Sequence, residues 1–555
     1  ENIVNSQAYN GTILGYTNNQ GSATRKLDQI NNKLLELTEQ YKKNFGTNHN
    51  LTVLGGYSYQ DNIEDGFLAS NKDFIAGSYS ITGYNRLSLG RAALLQPGQN
   101  YATSYKEKTT LISFFGRATV NFSEKYNVTA TLRQDGSSKF GANNKWGTFP
   151  SVAAGWIISN EGFLSGKSTL NYLKLRVGWG QTGNSEGLKP YNSLLLYDQT
   201  STYYDGQRGD FLPGYGAVQN ANPDLRWEVL TQVNIGFDFE LFDGAINGTL
   251  EAYDKKTTDM LYVYNVAPDG VNYFATTITS NVGEMSNQGI ELSLGGDLIS
   301  SGDFRWNARL IGWVYKNEMV KLSNNEFGAP TIFYNAFGGR GLGGIYASQL
   351  REGRPLGEFT IPHFVGFDAN GDILMDAKDG GAPTNDASLT RLYDAGIGIP
   401  KLTASLINSF TYKNFDLTFQ LRAMFGNKII NNLRSNFALP GSILENNMLT
   451  EVADYPIEYS TPRLSDLWLE SGSFVRLDNW QIGYNIPVKG VLQNARIYVG
   501  GNNLFVITDY KGVDPELEVK GDLAEAAQAP NSIGMDYSNI YPKTRTFQLG
   551  LNLTF

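Results

Sequence analysis

The chain is 555 residues long, with 41% hydrophobic residues, a formal net charge of −9 and a mean hydropathy of −0.31. No run approaches the roughly 18 apolar residues of a membrane-crossing helix, and the acidic balance argues against nucleic-acid binding, which needs a basic surface. Cysteine is absent and only His49 and His363 occur, which removes disulfides and thiol chemistry and argues against histidine-based acid–base or metal chemistry, while carboxylate chemistry is untouched.

The first residues, ENIVNSQAYNGTILGY, lack the basic start and apolar core of a secretory signal. The expectation is a start inside a longer protein or after processing. From there the dominant pattern is alternation with period two, the mark of strands with one apolar and one polar face. It predicts about fifteen strands, at 25–44, 48–58, 110–122, 126–134, 147–158, 170–181, 228–241, 246–258, 287–298, 303–316, 399–410, 415–428, 474–485, 493–506 and 541–555. The first, RKLDQINNKLLELTEQYKKNF, also fits a helical stripe through Leu27, Ile30, Leu34, Leu37 and Tyr41, and is read as a strand from its context. Further on, Val233, Ile235, Phe237, Phe239 and Leu241 alternate with Asn234, Gly236, Asp238 and Glu240. Phe304, Trp306, Ala308 and Leu310 alternate with Arg305, Asn307 and Arg309, and Phe415, Leu417, Phe419 and Leu421 with Asp416, Thr418, Gln420 and Arg422. The last strand is apolar on one side through Phe547, Leu549, Leu551 and Leu553 to its final residue, Phe555.

A soluble sandwich would have to keep those Arg and Glu residues off its inner faces. A membrane barrel turns the apolar face to lipid and the polar face to a wet lumen. The links favour the barrel: they are short at 44–48, 122–126, 241–246, 298–304, 411–415 and 485–494 and longer between those pairs. Tight periplasmic turns opposite extended extracellular loops are the barrel pattern. The fold class expected is therefore all-β, a transmembrane antiparallel β-barrel. Fifteen is an odd number, whereas bacterial barrels have even strand counts and no open edge in lipid, so the chain is expected to be part of a larger barrel. A secreted, aromatic-rich β-sheet glycan-binding protein or glycosidase also suits the 32 Tyr, 30 Phe and 61 Gly. A passive porin is a third reading.

Seven stretches carry a resemblance to one family: HNLTVLGGYSYQ (49–60), RQDGSSKFGANNKWGTFPSVAAGWIISNEGFL (133–164), LKLRVGWGQTGN (173–184), NPDLRWEVLTQVNIGFDFELF (222–242), NVGEMSNQGIELSL (281–294), YKNFDLTFQLRAMFGNKIIN (412–431) and LESGSFVRLDNWQIGYNIP (469–487). Together they resemble the C-terminal part of SusC/RagA-like TonB-dependent outer-membrane transporters of Gram-negative bacteria. The resemblance implies no enzyme but a barrel of 22 strands, closed by an N-terminal plug and driven by TonB, with plug and first strands outside this chain. It also implies a SusD-like lipoprotein lid and a bulky oligosaccharide or oligopeptide as substrate.

Candidate functional residues follow from the long links. YNSLLLYDQTSTYYDGQRGDFLPGYG (191–216) gathers Tyr191, Tyr197, Tyr203, Tyr204, Phe211 and Tyr215, aromatic groups able to hold ligand, dock the lid or pack on one another. FYNAFGGRGLGGIYASQLREGR (333–354) combines glycines with Arg340, Arg351 and Arg354 and reads as a loop able to swing with the lid. GFDANGDILMDAKDGG (366–381) spaces Asp368, Asn370, Asp372, Asp376 and Asp379 in the manner of a calcium loop. Calcium is the one cofactor this suggests, although Ile373 replaces the turn Gly, Asp379 replaces the bidentate Glu, and a self-stabilised acidic turn is the alternative. Most of the eight Trp fall in or near strands, where interfacial girdles are expected. Glu240, Glu251 and Glu291 are expected as solvated lumen charges, and terminal Phe555 resembles the recognition signal for the barrel-assembly machinery.

Overall fold

The computed structural model describes residues 3–9, 22–46, 48–72, 87, 102–164, 169–328, 332–338, 344–444, 447–517, 533–536 and 541–555. The period-two segments form one antiparallel meander in which each strand pairs with the next. Its strands are Ile3–Tyr9, Ser22–Phe45, His49–Lys72, Ala102–Phe122, Tyr126–Ser137, Trp146–Ile157, Leu170–Asn184, Glu228–Leu241, Ile246–Asn265, Thr277–Ser301, Phe304–Lys321, Leu402–Tyr412, Phe415–Phe425, Phe474–Ile486, Asn494–Asn502 and Thr546–Thr554. A short strand, Val506–Thr508, continues Asn494–Asn502 along the same neighbour. The ambiguous segment is a strand. The addition to the fifteen is Ile3–Tyr9, a seven-residue strand whose IVNSQAY alternates too briefly to stand out. Among the described residues Ile3–Tyr9 and Thr546–Thr554 each pair on one side only.

The short turns reverse the chain with left-handed residues, whose twist matches that of the flanking strands. Ser123 and Glu124 have φ of 56° and 54°, and Phe242, Asp243 and Gly244 follow one another at 54°, 57° and 83°. Residues on the apolar face are not packed beneath a second sheet: Phe415 is 54% exposed, Val233 49% and Phe237 38%. Phe419 is half-buried between Phe410, stacked 6.1 Å away on one neighbouring strand, and Trp480, its register partner on the other. That excludes the sandwich.

Aromatic rings mark two belts on the same face. Near the short turns His49 lies 4.2 Å from Phe122, and Tyr126 follows, stacked on Trp156. There Glu161 accepts from Tyr126 Oη at 2.6 Å, Lys125 Nζ at 2.9 Å and Trp156 Nε1 at 3.2 Å, and these bonds hold its carboxyl down at about 2. Towards the long loops Phe114 lies between Tyr57 and Trp146. Trp179, Trp306 and Trp480 also occupy apolar-face positions. The girdle expectation fails for Trp227 and Trp468, which are buried in loop cores, and for Trp313, which alternation places on the polar face.

Candidate functional site

The link after Leu170–Asn184 folds into a hairpin, Leu196–Asp205 against Asp210–Gln219. Its register sets Tyr204 opposite Phe211, Gln199 opposite Tyr215 and Tyr197 opposite Ala217. Alternation along Phe211, Pro213, Tyr215 and Ala217 then puts Tyr197, Tyr204, Phe211 and Tyr215 on one face. Each is 60–70% exposed. Tyr203 lies on the opposite face. Tyr191 stands apart at the hairpin base, left-handed at φ 66°, its hydroxyl accepting from the Lys108 amide at 3.1 Å. Four of the six aromatic candidates are thus brought together.

The hairpin has a rigid seat to which two of the family-like stretches, 133–164 and 222–242, contribute together with Asn220 and residues 274–279. Asn220, 2% exposed, donates to the carbonyls of Ala275 and Thr277 at 2.7 and 2.9 Å and accepts from the amides of Phe274 and Ala275 at 2.7 and 2.9 Å. Asn222 donates to Thr279 O at 2.8 Å. The Trp227 ring packs on Phe140 and Phe149, with centroids 4.5 and 5.6 Å away. Gly141 presses against Pro223 so closely that a Cβ there would lie 2.0 Å from the Pro223 carbonyl oxygen. Asparagines with all their hydrogen-bonding groups satisfied are the signal that sequence reading missed.

Above the sheet three long links share a core. Phe337, Ala347, Phe359, Ile361 and Met375 come from 322–401, Ile430, Val452, Tyr459 and Trp468 from 426–473, and Met535 from 503–545. Strand Lys428–Asn431 pairs antiparallel with Leu469–Ser471 and parallel with Met535–Asp536. The reading of 333–354 as a swinging loop is corrected for its described residues. Ile332–Ala336 pairs with Tyr346–Leu350, Phe337 and Ala347 enter the core, and Arg351 and Arg354 each bridge Glu358 and Asp394. Arg340 lies outside the described residues.

In the acidic loop Asp368 Oδ1 accepts from the amides of Asn370 and Asp372, both at 2.8 Å. Asn385 Nδ2 donates to Asp368 and Asp372 at 3.3 and 3.4 Å, while Asp379 caps its own turn through the Gly381 amide at 2.9 Å. Asp376 instead bonds through its backbone to His363 O and the Arg391 amide. The five residues are not drawn to one point, and among the described residues no three carboxylates or histidines gather to hold a metal ion. Nearby, Asp466 clamps two links together. It accepts from the Phe364 amide at 2.7 Å and Tyr393 Oη at 2.5 Å and pairs with His363 Nδ1 at 2.7 Å. The bond to Asp466 raises the His363 pKa, and burial followed by its own bond to Asp466 raises that of Tyr393.

On the polar face, long side chains recline over glycines to reach the strand beyond. Arg176 crosses Gly236 to bond Glu251 at 3.1 Å while also holding Asp238 at 2.9 Å. Arg496 crosses Gly483 to Asp416 at 3.0 and 2.5 Å, and Arg309 crosses Gly295 to Asn247 at 3.1 Å. Glu251 is therefore paired, whereas Glu240 and Glu291 are exposed. The segment beyond Val506–Thr508 is tied to this wall through Glu516, which bonds both Arg422 and Lys543. Burial pushes the Glu516 carboxyl up, and those cations more than offset it, leaving it at about 2. Phe555 is 73% exposed at the end of the last strand.

The family described as TonB dependent receptor-like, beta-barrel matches residues 2–504. The chain is 32% identical, over 98% of its length, to TonB-dependent receptor P3 of Formosa agariphila, of which it covers 54%. It is 32% identical over 82% of its length to TonB-dependent receptor SusC of Bacteroides thetaiotaomicron, covering 44% of that protein. Among solved structures, the RagAB peptide transporter superposes with a TM-score of 0.74 at 25% identity, over 96% of this chain and 56% of that one. The chain spans about half the length of the curated relatives it matches. With its lipid-facing apolar strands, polar interior and long loops gathered at one rim, this chain belongs to the TonB-dependent receptor β-barrel family of the Gram-negative outer membrane.

Proposed function

We propose that the chain is barrel wall and loop cap of an importer that takes up a bulky nutrient, an oligosaccharide or oligopeptide, with energy delivered through TonB. A plug and the segment that meets TonB are assigned to the part of the relatives lying outside the match. A SusD-like surface lipoprotein closes the mouth from outside. The role involves no covalent chemistry.

The observation that carries this reading is the aromatic face of the hairpin Leu196–Gln219. Four rings stand out from a base whose asparagines, glycine and tryptophan are fully engaged. Rigidly mounted, amphipathic rings are what a docking surface needs, because little conformational freedom is lost on binding. The test uses the complete receptor expressed with its lipoprotein. Deleting TonB should abolish nutrient uptake, and the double variant Phe211→Ala, Tyr215→Ala should lose co-purification of the lipoprotein while leaving the heat-modifiable gel shift of the barrel unchanged. Uptake that continues without TonB would return the passive porin.

A further inference from the structure

Resting on that importer reading, we infer that the lumen wall around Trp313 is a binding platform for a neutral oligosaccharide segment. Trp313 belongs to strand Phe304–Lys321, where Leu310 and Val314 face lipid, so alternation turns Trp313 inward. It is 38% exposed and lies directly opposite Glu291 on the adjacent strand. Two register pairs nearer the mouth, on the same face, Tyr315 and Tyr253 flank Gly289 from either side. The missing side chain at Gly289 lets the Tyr253 ring lie flat on the wall: a Cβ there would be 2.5 Å from its hydroxyl. That hydroxyl donates to Asn287 Oδ1 at 3.4 Å, and Lys255 Nζ sits 4.5 Å over the ring. Three aromatic side chains, a carboxylate, an amide and an ammonium thus share one patch.

Charge decides the class of ligand. Glu251, the register neighbour of Glu291, bonds Arg176 at 3.1 Å, a guanidinium it shares with Asp238. Glu291 has no ion pair or hydrogen bond among the described residues, so it presents two acceptor oxygens to the lumen. An anionic ligand would meet that unneutralised carboxylate. A cationic peptide side chain paired with Glu291 would leave Lys255, two same-face positions along, as a like charge beside it. An uncharged sugar meets neither penalty: its C–H faces cover the rings and its hydroxyls serve the carboxylate, amide and ammonium.

The test uses the complete receptor purified with its lipoprotein, probed with fluorescently labelled neutral glucan, mannan and fructan oligosaccharides and with neutral, cationic and anionic hexapeptides. A neutral oligosaccharide should bind. Trp313→Ala should weaken it roughly tenfold, the loss expected of one aromatic contact, and Glu291→Gln should weaken it less, with Trp179→Ala on the lipid face as the unaffected control. Preferential binding of a charged peptide, or Trp313→Ala binding sugar normally while losing barrel stability because the ring packs on a plug, overturns the inference. TonB-dependent uptake measured alongside separates the two failures: uptake that is unaltered in Trp313→Ala sinks only the platform, whereas absence of TonB-dependent uptake in the unaltered receptor sinks the importer.

Discussion

Arg476 and Asp514 form a 2.5 Å ion pair in which both side chains are almost wholly withdrawn from solvent, at 2% and 6% exposure. Arg476 belongs to strand Phe474–Ile486 and also donates to Asn503 at 2.6 Å, so it pins the segment after Asn502 against the wall. Removing one partner of such a pair strands the other charge. Arg476→Met should cost about 3–5 kcal/mol, and adding Asp514→Leu should restore much of the loss, since a buried pair is often matched by apolar residues of its size. Urea unfolding of the folded barrel in detergent reads both; a double variant no better than the single one refutes the account.

Trp468 is fully buried at the centre of the three-link core, its indole nitrogen donating to Arg463 O at 2.8 Å. Trp468→Ala should cost the cap about 3–5 kcal/mol. Because the core lies outside the main sheet, the damage should stay local. Trypsin should gain sites within 332–401 and 426–473 while the unboiled barrel keeps its gel mobility.

Two glycines should respond oppositely to the same methyl group. At Gly141 the added Cβ meets the Pro223 carbonyl, backbone that has no room to retreat, and the loss should reach about 1–3 kcal/mol with the aromatic hairpin unseated. At Gly236 it meets Arg176 Nη2 at 2.8 Å, the far end of a flexible side chain. Gly236→Ala should therefore be tolerated in folding. Proteolysis at the hairpin tip, 205–210, distinguishes them, and equal sensitivity of the two variants would contradict the argument.

His363 supplies a pH dependence with a definite sign. Its bond to Asp466, with the charges of Asp466 and Asp376, outweighs desolvation and raises its pKa above the ordinary value. The stability it adds is complete below the ordinary value and is lost as pH rises through the raised one. The imidazole is half exposed, so the effect should stay below about 1 kcal/mol. Protection of the Phe364 amide, corrected for intrinsic exchange, should fall as pH rises above the ordinary imidazole value of about 6.5 in the parent and stay level in His363→Phe. A parent profile as flat as the variant's would remove the clamp.

The barrel was legible because its physics repeats. At every strand from Tyr126–Ser137 to Thr546–Thr554, lipid demands apolar residues at alternate positions, and short turns recur at one rim. The mouth was harder to read, because its core joins Phe337, Trp468 and Met535, which no local period connects. The Gly-rich stretch 333–354 looked loose because glycine speaks to backbone freedom and says nothing of Phe337 and Ala347 anchoring either side. Residue type alone suggests a girdle place for Trp313, whereas its parity with Arg309 points inward. The carboxylates were read singly, while their fate is settled by which glycine lets an arginine reach them.

The cap core also binds stretches that are far apart along the chain. Phe337 and Trp468 share their packing with Met535, close to the last strand, so the mouth is knit to the far end of the chain, and losing that stretch would uncover apolar side chains contributed by the other two links.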